Sequence, residues 1–136
     1  DTVKKVHDFL TVGAAAPLQE AAATGLEFGD EYYCGLQEKY TEKRELFMKG
    51  LDDIGLSHTV PEGAYYALID ISEFGYASDT AFCEDLARKV GVGMVPGSSF
   101  FRESENRYAR VHFAKKDATL REALDRLSDI RRKMQK

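Results

Sequence analysis

Arg107–Ala114, "RYARVHFA", alternates apolar and polar residues in the two-residue period of a strand. Ala109, Val111 and Phe113 fall on one face with Arg107, and Tyr108, Arg110, His112 and Ala114 fall on the other. The first face can line a core. The second holds a guanidinium in mid-strand, which calls for a negative partner. A planar guanidinium offers two parallel N–H donors that match the two oxygens of a carboxylate. Arg110 is therefore a candidate receptor for a small acid; the plainer alternative is a strand arginine that reaches solvent or pairs with a local acid. Arg102 and Arg107 sit in or beside the polar "GSSFFRESEN" loop and are expected to be solvated.

Working outward, Asp117 opens a helical pattern with Leu120, Leu124, Leu127, Ile130 and Met134 on its apolar face, ending in the cationic "KMQK" that suits a helix C-terminus. Upstream, "VGMVPG" reads as a short strand stopped by Pro96 and Gly97. "SDTAFCEDLARKVG" reads as a helix capped by Ser78 or Asp79, with Phe82, Leu86 and Val90 inward. "LSHTVPEGAYYALIDIS" predicts two strands, a short one ending at Pro61 and a second over 64–71. Residues 56–136 thus read ββαββα, an α+β fold with helices packed on one sheet in two layers.

Before it, Tyr32, Leu36, Tyr40, Phe47, Leu51 and Ile54 make one helical stripe over 31–54, closed by Gly55. Such a helix spans about 36 Å at 1.5 Å per residue, the length of a linker between domains. Val3, Val6, Phe9 and Leu10 mark a helix over residues 2–11; "TVGAAAP" breaks it; Pro17 suits the first turn of a second helix; Asp30 is a candidate N-cap.

The 136 residues are 43% hydrophobic, enough for one core, and 19 basic against 23 acidic residues leave a net charge of −4. Without a basic stripe, nucleic acid is not an expected partner. Apolar runs are too short for a membrane span, and no leader pattern is visible, so a cytoplasmic protein is expected. Cys34 and Cys83 read as small residues of helices in a reducing compartment rather than a disulfide. His7, His58 and His112 show no metal spacing with them. "PGSSF" lacks a nucleophile-elbow pattern, and the glycines form no phosphate loop. Lys39, Lys43, Lys49, Lys89, Lys115, Lys116 and Lys133 are placed on polar helix faces or beside helix starts, so no Schiff-base lysine, nucleophile or general base is expected here. The chain opens on Asp1 inside a helical pattern, which suggests a piece of a longer protein.

Taken in order, "VHDFLTVGAAAPLQEAAATGL", "EKYTEKRELF", "PEGAYYALIDIS", "VGMVPGSSFF" and "RYARVHFAKKDATLREALDRL" resemble the C-terminal part of the class I/II aminotransferases, fold-type I enzymes that use pyridoxal 5'-phosphate. The likeness covers essentially the whole chain. It implies that residues 1–28 are a remnant of the large-domain side, 29–55 the long interdomain helix and 56–136 the small C-terminal domain. It implies that Arg110 binds the α-carboxylate of the amino acid or 2-oxo acid, that the "VPGSSF" loop borders that site, and that the intact enzyme is a homodimer. The Schiff-base lysine and the cofactor contacts would lie upstream of Asp1, so this chain alone is expected to be inactive and free of cofactor. His112 departs from the family, where that position is usually small. The exposed apolar residues of 1–28 would then self-associate or lack order. Two other readings remain at this level: a stand-alone small-acid-binding or regulatory module, and a structural domain with Arg110 paired internally.

Overall fold

A computed structural model describes residues 1–134. Gln135 and Lys136, the end of "KMQK", lie outside the described residues. The chain divides into two compact units, one from Asp1 to Glu38 and one starting at Lys39.

The first unit holds α1 (Thr2–Thr11), α2 (Ala16–Leu26) and the beginning of α3 (Asp30–Ile54). Pro17 lies in the first turn of α2, where its missing N–H has no helical partner to lose. The Tyr33 hydroxyl donates to Gly25 O at 2.9 Å, and the rings of Phe28, Tyr32 and Tyr33 meet edge-on. Val3, Phe9, Leu10, Leu18 and Leu26 are exposed.

The second unit holds the rest of α3, then β1 (Tyr66–Asp70), α4 (Asp79–Lys89), β2 (Val95–Pro96), β3 (Tyr108–His112), α5 (Asp117–Ser128) and α6 (Ile130–Met134). The three strands form an antiparallel sheet in the order β1-β3-β2. Leu68 stands opposite Arg110 on one side of β3 and Val95 on the other. Ala67, Ile69, Ala109 and Val111 bury one face of the sheet in a core shared with Phe47 and Leu51 of α3, Phe82 and Leu86 of α4, Leu120 and Leu127 of α5, and Ile130 and Met134 of α6. Each such large side chain contributes about 1.5–3 kcal/mol. Exposed helix pairs such as Lys49–Asp53 and Arg88–Glu84 contribute only a few tenths. Packing of the apolar stripes therefore holds this unit together.

Several expectations need correction. The first of the two strands is a single bridge, His58 to Ile69. Pro61 has no N–H to extend a ladder, and the Thr59 hydroxyl, not a backbone carbonyl, accepts from Leu68 N at 3.0 Å. The order is thus βαββα with an extra short helix, within the α+β class. The strand expected over 64–71 shrinks to five residues, since Ala64 has a positive φ of 57°. The closing helix breaks at Asp129, where Ser128 Oγ donates back to Asp125 O at 2.6 Å. The stripe crosses the break intact: Ile130 and Met134 are as buried as Leu127. In α3 the stripe is buried only from Phe47 onward, while Tyr32 and Leu36 are exposed. Gly55 ends α3 at φ 77°, in the left-handed region that favours glycine.

Candidate functional site

β3 presents Tyr108, Arg110 and His112 on the face opposite the core, and β1 adds Tyr66 and Leu68 to the same face. This follows from alternation: once Ala109 and Val111 point inward, Arg110 must point outward. The guanidinium is half-buried. Its Cζ lies 3.5 Å from the ring centroid of Phe100, in the turn after β2, and 4.3 Å from that of Tyr66 on β1. Each cation–ring contact is worth about 0.5–2 kcal/mol, depending on how dry it is. Rings against the guanidinium leave its in-plane N–H donors as the recognition edge. No ion pair within 4.0 Å joins Arg110 to any described residue.

Arg131 shows the contrasting arrangement. Its Nη1 donates to Ile54 O at 2.6 Å, its Nη2 to Gly55 O at 2.7 Å, and Nε and Nη2 both reach the Glu73 carboxylate. That arginine is fully employed tying α6 to the end of α3. Arg107, a weaker candidate, pairs with Glu105 at 3.3 Å, and Arg102 is exposed.

Beside Arg110 the same face carries Leu68 and His112. His112 lies edge-on to Tyr65 and Tyr66, 6.4 Å from each. Its Nδ1 is buried without a hydrogen-bond partner among the described residues. Burial, then the charges of Lys115 and Arg110, push the imidazole below its usual range, so it stays neutral beside the guanidinium. The Tyr65 hydroxyl accepts from Tyr66 at 3.4 Å, and that pairing pushes its phenol up against the pull of Arg110.

The "VPGSSF" stretch packs tightly on β3. A side chain on Gly97 would strike Tyr108 O at 2.5 Å. Asp79 was one of two cap candidates for α4; Ser78 is the cap, accepting from Ala81 N, and Asp79 is buried instead, with Ser98 N donating to it at 2.7 Å. The sequence points to Asp79 only as a helix cap, and to neither Phe100 nor Tyr66 as part of a site. Tyr66 could have been found, since alternation places it on the outer face with Arg110.

Lys43 also differs from expectation. It is not on a solvated face: its side chain is 13% exposed, and Nζ donates to Lys115 O at 2.8 Å and Asp117 Oδ1 at 2.6 Å. It closes the uncapped start of α5 and holds the Asp117 carboxyl below its usual range. His58 pairs with Asp52 at 3.1 Å. Among the described residues no three His, Cys, Asp or Glu side chains come together as metal donors, and no helix is long and apolar enough to cross a membrane. A cavity of about 250 Å³ is lined by Phe47, Val111, His112, Lys115 and Arg126 among others; Arg110 does not line it.

Comparison with known proteins adds a family. The profile described as "Aminotransferase class I and II" matches residues 1–127. Methionine aminotransferase of Escherichia coli is 33% identical over 129 residues, covering 94% of this chain and 33% of that protein. A putative aminotransferase of Bacillus subtilis, YugH, is 37% identical over 127 residues, covering 93% and 32%. Among solved structures, N-succinyldiaminopimelate aminotransferase of Mycobacterium tuberculosis superposes with a TM-score of 0.77 at 34% identity, covering 89% of this chain and 32% of that one. The chain spans about a third of the length of the curated relatives it matches.

Proposed function

The chain belongs to the class I and II aminotransferases, and from that premise we propose that it is the C-terminal portion of an enzyme that moves an amino group between an amino acid and a 2-oxo acid, with Arg110 as the receptor for the substrate α-carboxylate. The observation that carries this reading is the state of Arg110: a strand-borne guanidinium held against two rings, with no acid pairing it among the described residues. Methionine and N-succinyldiaminopimelate, named for two of the relatives, differ in side chain but share an amino acid's carboxylate. A receptor for that group serves both kinds of substrate. Residues 1–28 would belong to the large-domain side, 29–55 would link the domains, and 56–136 would be the small domain that closes over substrate, expels water and sets its orientation. The intact enzyme would be a cytoplasmic homodimer.

Members of this family use pyridoxal phosphate, which supplies the electron sink for the chemistry. The described residues do not fit that group. Lys43, the shielded lysine described above, is committed to Lys115 O and Asp117, and the neutral His112 stands between the rings of Tyr65 and Tyr66 and the cations Lys115 and Arg110. Binding of substrate is therefore the role assigned to this chain, and alone it would be inactive. Its exposed apolar residues within 1–28 would make it self-associate, as a rise in mass with concentration in light scattering would show.

Two experiments test the reading. In the full-length enzyme carrying these residues, Arg110→Ala should lower kcat/KM for an α-amino acid by roughly 2–5 kcal/mol, the scale for removing one partner of a buried charge pair. An unchanged kcat/KM would refute the role. The chain alone, incubated with pyridoxal phosphate and reduced with borohydride, should show no single stoichiometrically labelled lysine by mass spectrometry. One such site would overturn the assignment of binding alone.

A further inference from the structure

Phe100 covers Arg110, yet Phe100 is 47% exposed and belongs to a short turn outside the core. Something other than apolar burial must hold it there. Asp79 is 1% exposed, and a carboxylate so buried is tolerated only when hydrogen-bonded. Its Oδ2 accepts from Ser98 N at 2.7 Å and its Oδ1 from Ser98 Oγ at 3.1 Å. Thr80 Oγ1 at 3.5 Å adds little. Ser98 lies two residues before Phe100, and Gly97, one residue earlier, is pressed against Tyr108. The turn is thus pinned at one side to α4 and at the other to β3. Capping of α4 does not require Asp79, because Ser78 already serves that end. The buried carboxylate has its two strongest contacts on the turn.

We propose that Asp79 is a positioning residue for the Arg110 receptor: through Ser98 it holds the 97–100 turn so that Phe100 stays over the guanidinium and the N–H edge stays free for a carboxylate. The functional half of this rests on the reading of Arg110 above; the structural half does not. Asn at position 79 can accept from Ser98 N and donate to Ser98 Oγ, so Asp79→Asn is the conservative variant, whereas Asp79→Ala removes both contacts.

The first test needs no substrate. In the chain as it stands, the Arg110 Nε–Hε signal in nitrogen–proton NMR, identified by its loss in Arg110→Lys, senses the ring current of Phe100. Phe100→Leu sets the shift for a guanidinium without that ring. Asp79→Ala should move the signal most of the way to that value, with Asp79→Asn close to the parent. An unmoved signal in a folded Asp79→Ala protein overturns the proposal. Should Asp79→Ala fail to fold, Ser98→Ala removes one contact without touching the core and should move the signal part of the way; no movement there overturns it equally. The second test uses the full-length enzyme. Asp79→Ala should raise KM for the amino acid about three- to tenfold, the scale of one cation–ring contact, with kcat little changed and Asp79→Asn restoring most of the loss. If the NMR signal moves but neither Asp79→Ala nor Arg110→Ala alters KM, the Asp79 anchor stands and the receptor reading falls. If Arg110→Ala raises KM and Asp79→Ala does not, the receptor stands and the positioning role falls.

Discussion

Gly97→Ala probes whether the turn beside Arg110 is seated by direct contact with β3. The added Cβ would stand 2.5 Å from Tyr108 O, 2.8 Å from its Cβ and 2.9 Å from its carbonyl carbon. β3 cannot retreat. It is the central strand, paired on both sides, and Ile71 N donates to Arg107 O at 2.9 Å just before it. The turn must move instead, by roughly 0.9 Å to recover an ordinary contact. Overfilling a packed site typically destabilises by about 1–3 kcal/mol. Stiffening the unfolded chain at a glycine that needs no positive φ offsets about 0.4–1 kcal/mol. Displacing the turn also stretches the Ser98–Asp79 hydrogen bonds, so the upper half of the range applies. The expected net loss is about 2 kcal/mol. With a denaturant slope of about 1–3 kcal/mol per molar for a small protein, the urea midpoint should fall by roughly 1 M at unchanged slope. Equilibrium unfolding followed by far-ultraviolet circular dichroism measures this. A midpoint equal to or above that of the parent would refute the reasoning, since it would mean that the turn and strand do not constrain each other.

Gly50→Ala is the counterpart, because the three atoms nearest its added Cβ all belong to the flexible side chain of Leu124. Both residues line a cavity of about 550 Å³ into which Leu124 can turn. The helix gain of about 1 kcal/mol should nearly cancel a rotamer cost of about 0.5–1.5 kcal/mol, and a midpoint shift as large as that of Gly97→Ala would contradict this. Cys83 is buried, and its thiol is pushed up to about 11, first by burial and then by the Asp79 charge, whereas Cys34 is exposed. Iodoacetamide at about pH 8 should therefore modify Cys34 and spare Cys83 until urea unfolds the protein; peptide mapping that finds equal labelling in the native state would be the adverse result. His112 titrates lower in the folded state than in the unfolded chain, where the value is near 6.5. The unfolded state then binds the extra proton first, so the His112 contribution is complete above about pH 6.5 and is lost as pH falls toward the folded value. The groups facing the ring are Arg110, Lys115, Tyr65 and Tyr66. The depressed carboxyls of Asp70, Asp85, Asp117 and Asp129 act only below about pH 4. Unfolding midpoints measured from about pH 7 down to about pH 5 should decline, and His112→Phe should flatten the decline; an equal slope in both proteins would exclude His112 as its source.

The parts of this protein that were legible in the residues are those governed by local spacing. The apolar stripe closed by Gly55 located α3, Pro17 located the start of α2, and strict alternation placed Val111 inward and Arg110 outward. These signals act within a turn of helix or a few residues of strand, so they survive in a linear reading. What depended on the folded chain are pairings between distant residues. Lys43 and Asp117 are 74 positions apart, and a helix pattern cannot show that their contact removes a lysine from solvent. Asp79 and Ser98 are 19 positions apart, and only their meeting turns a cap candidate into a buried anchor. The lost first strand has the same origin: β-propensity around His58 was adequate, but past the His58–Ile69 bridge the Thr59 hydroxyl takes the Leu68 N–H in place of a carbonyl, and Pro61 has no N–H to carry the ladder on. Arg110 stands at the boundary between the two. Alternation sent it to the outer face, while its state there, against Phe100 and Tyr66 and without an acid among the described residues, depended on which loop and which strand came to lie beside it.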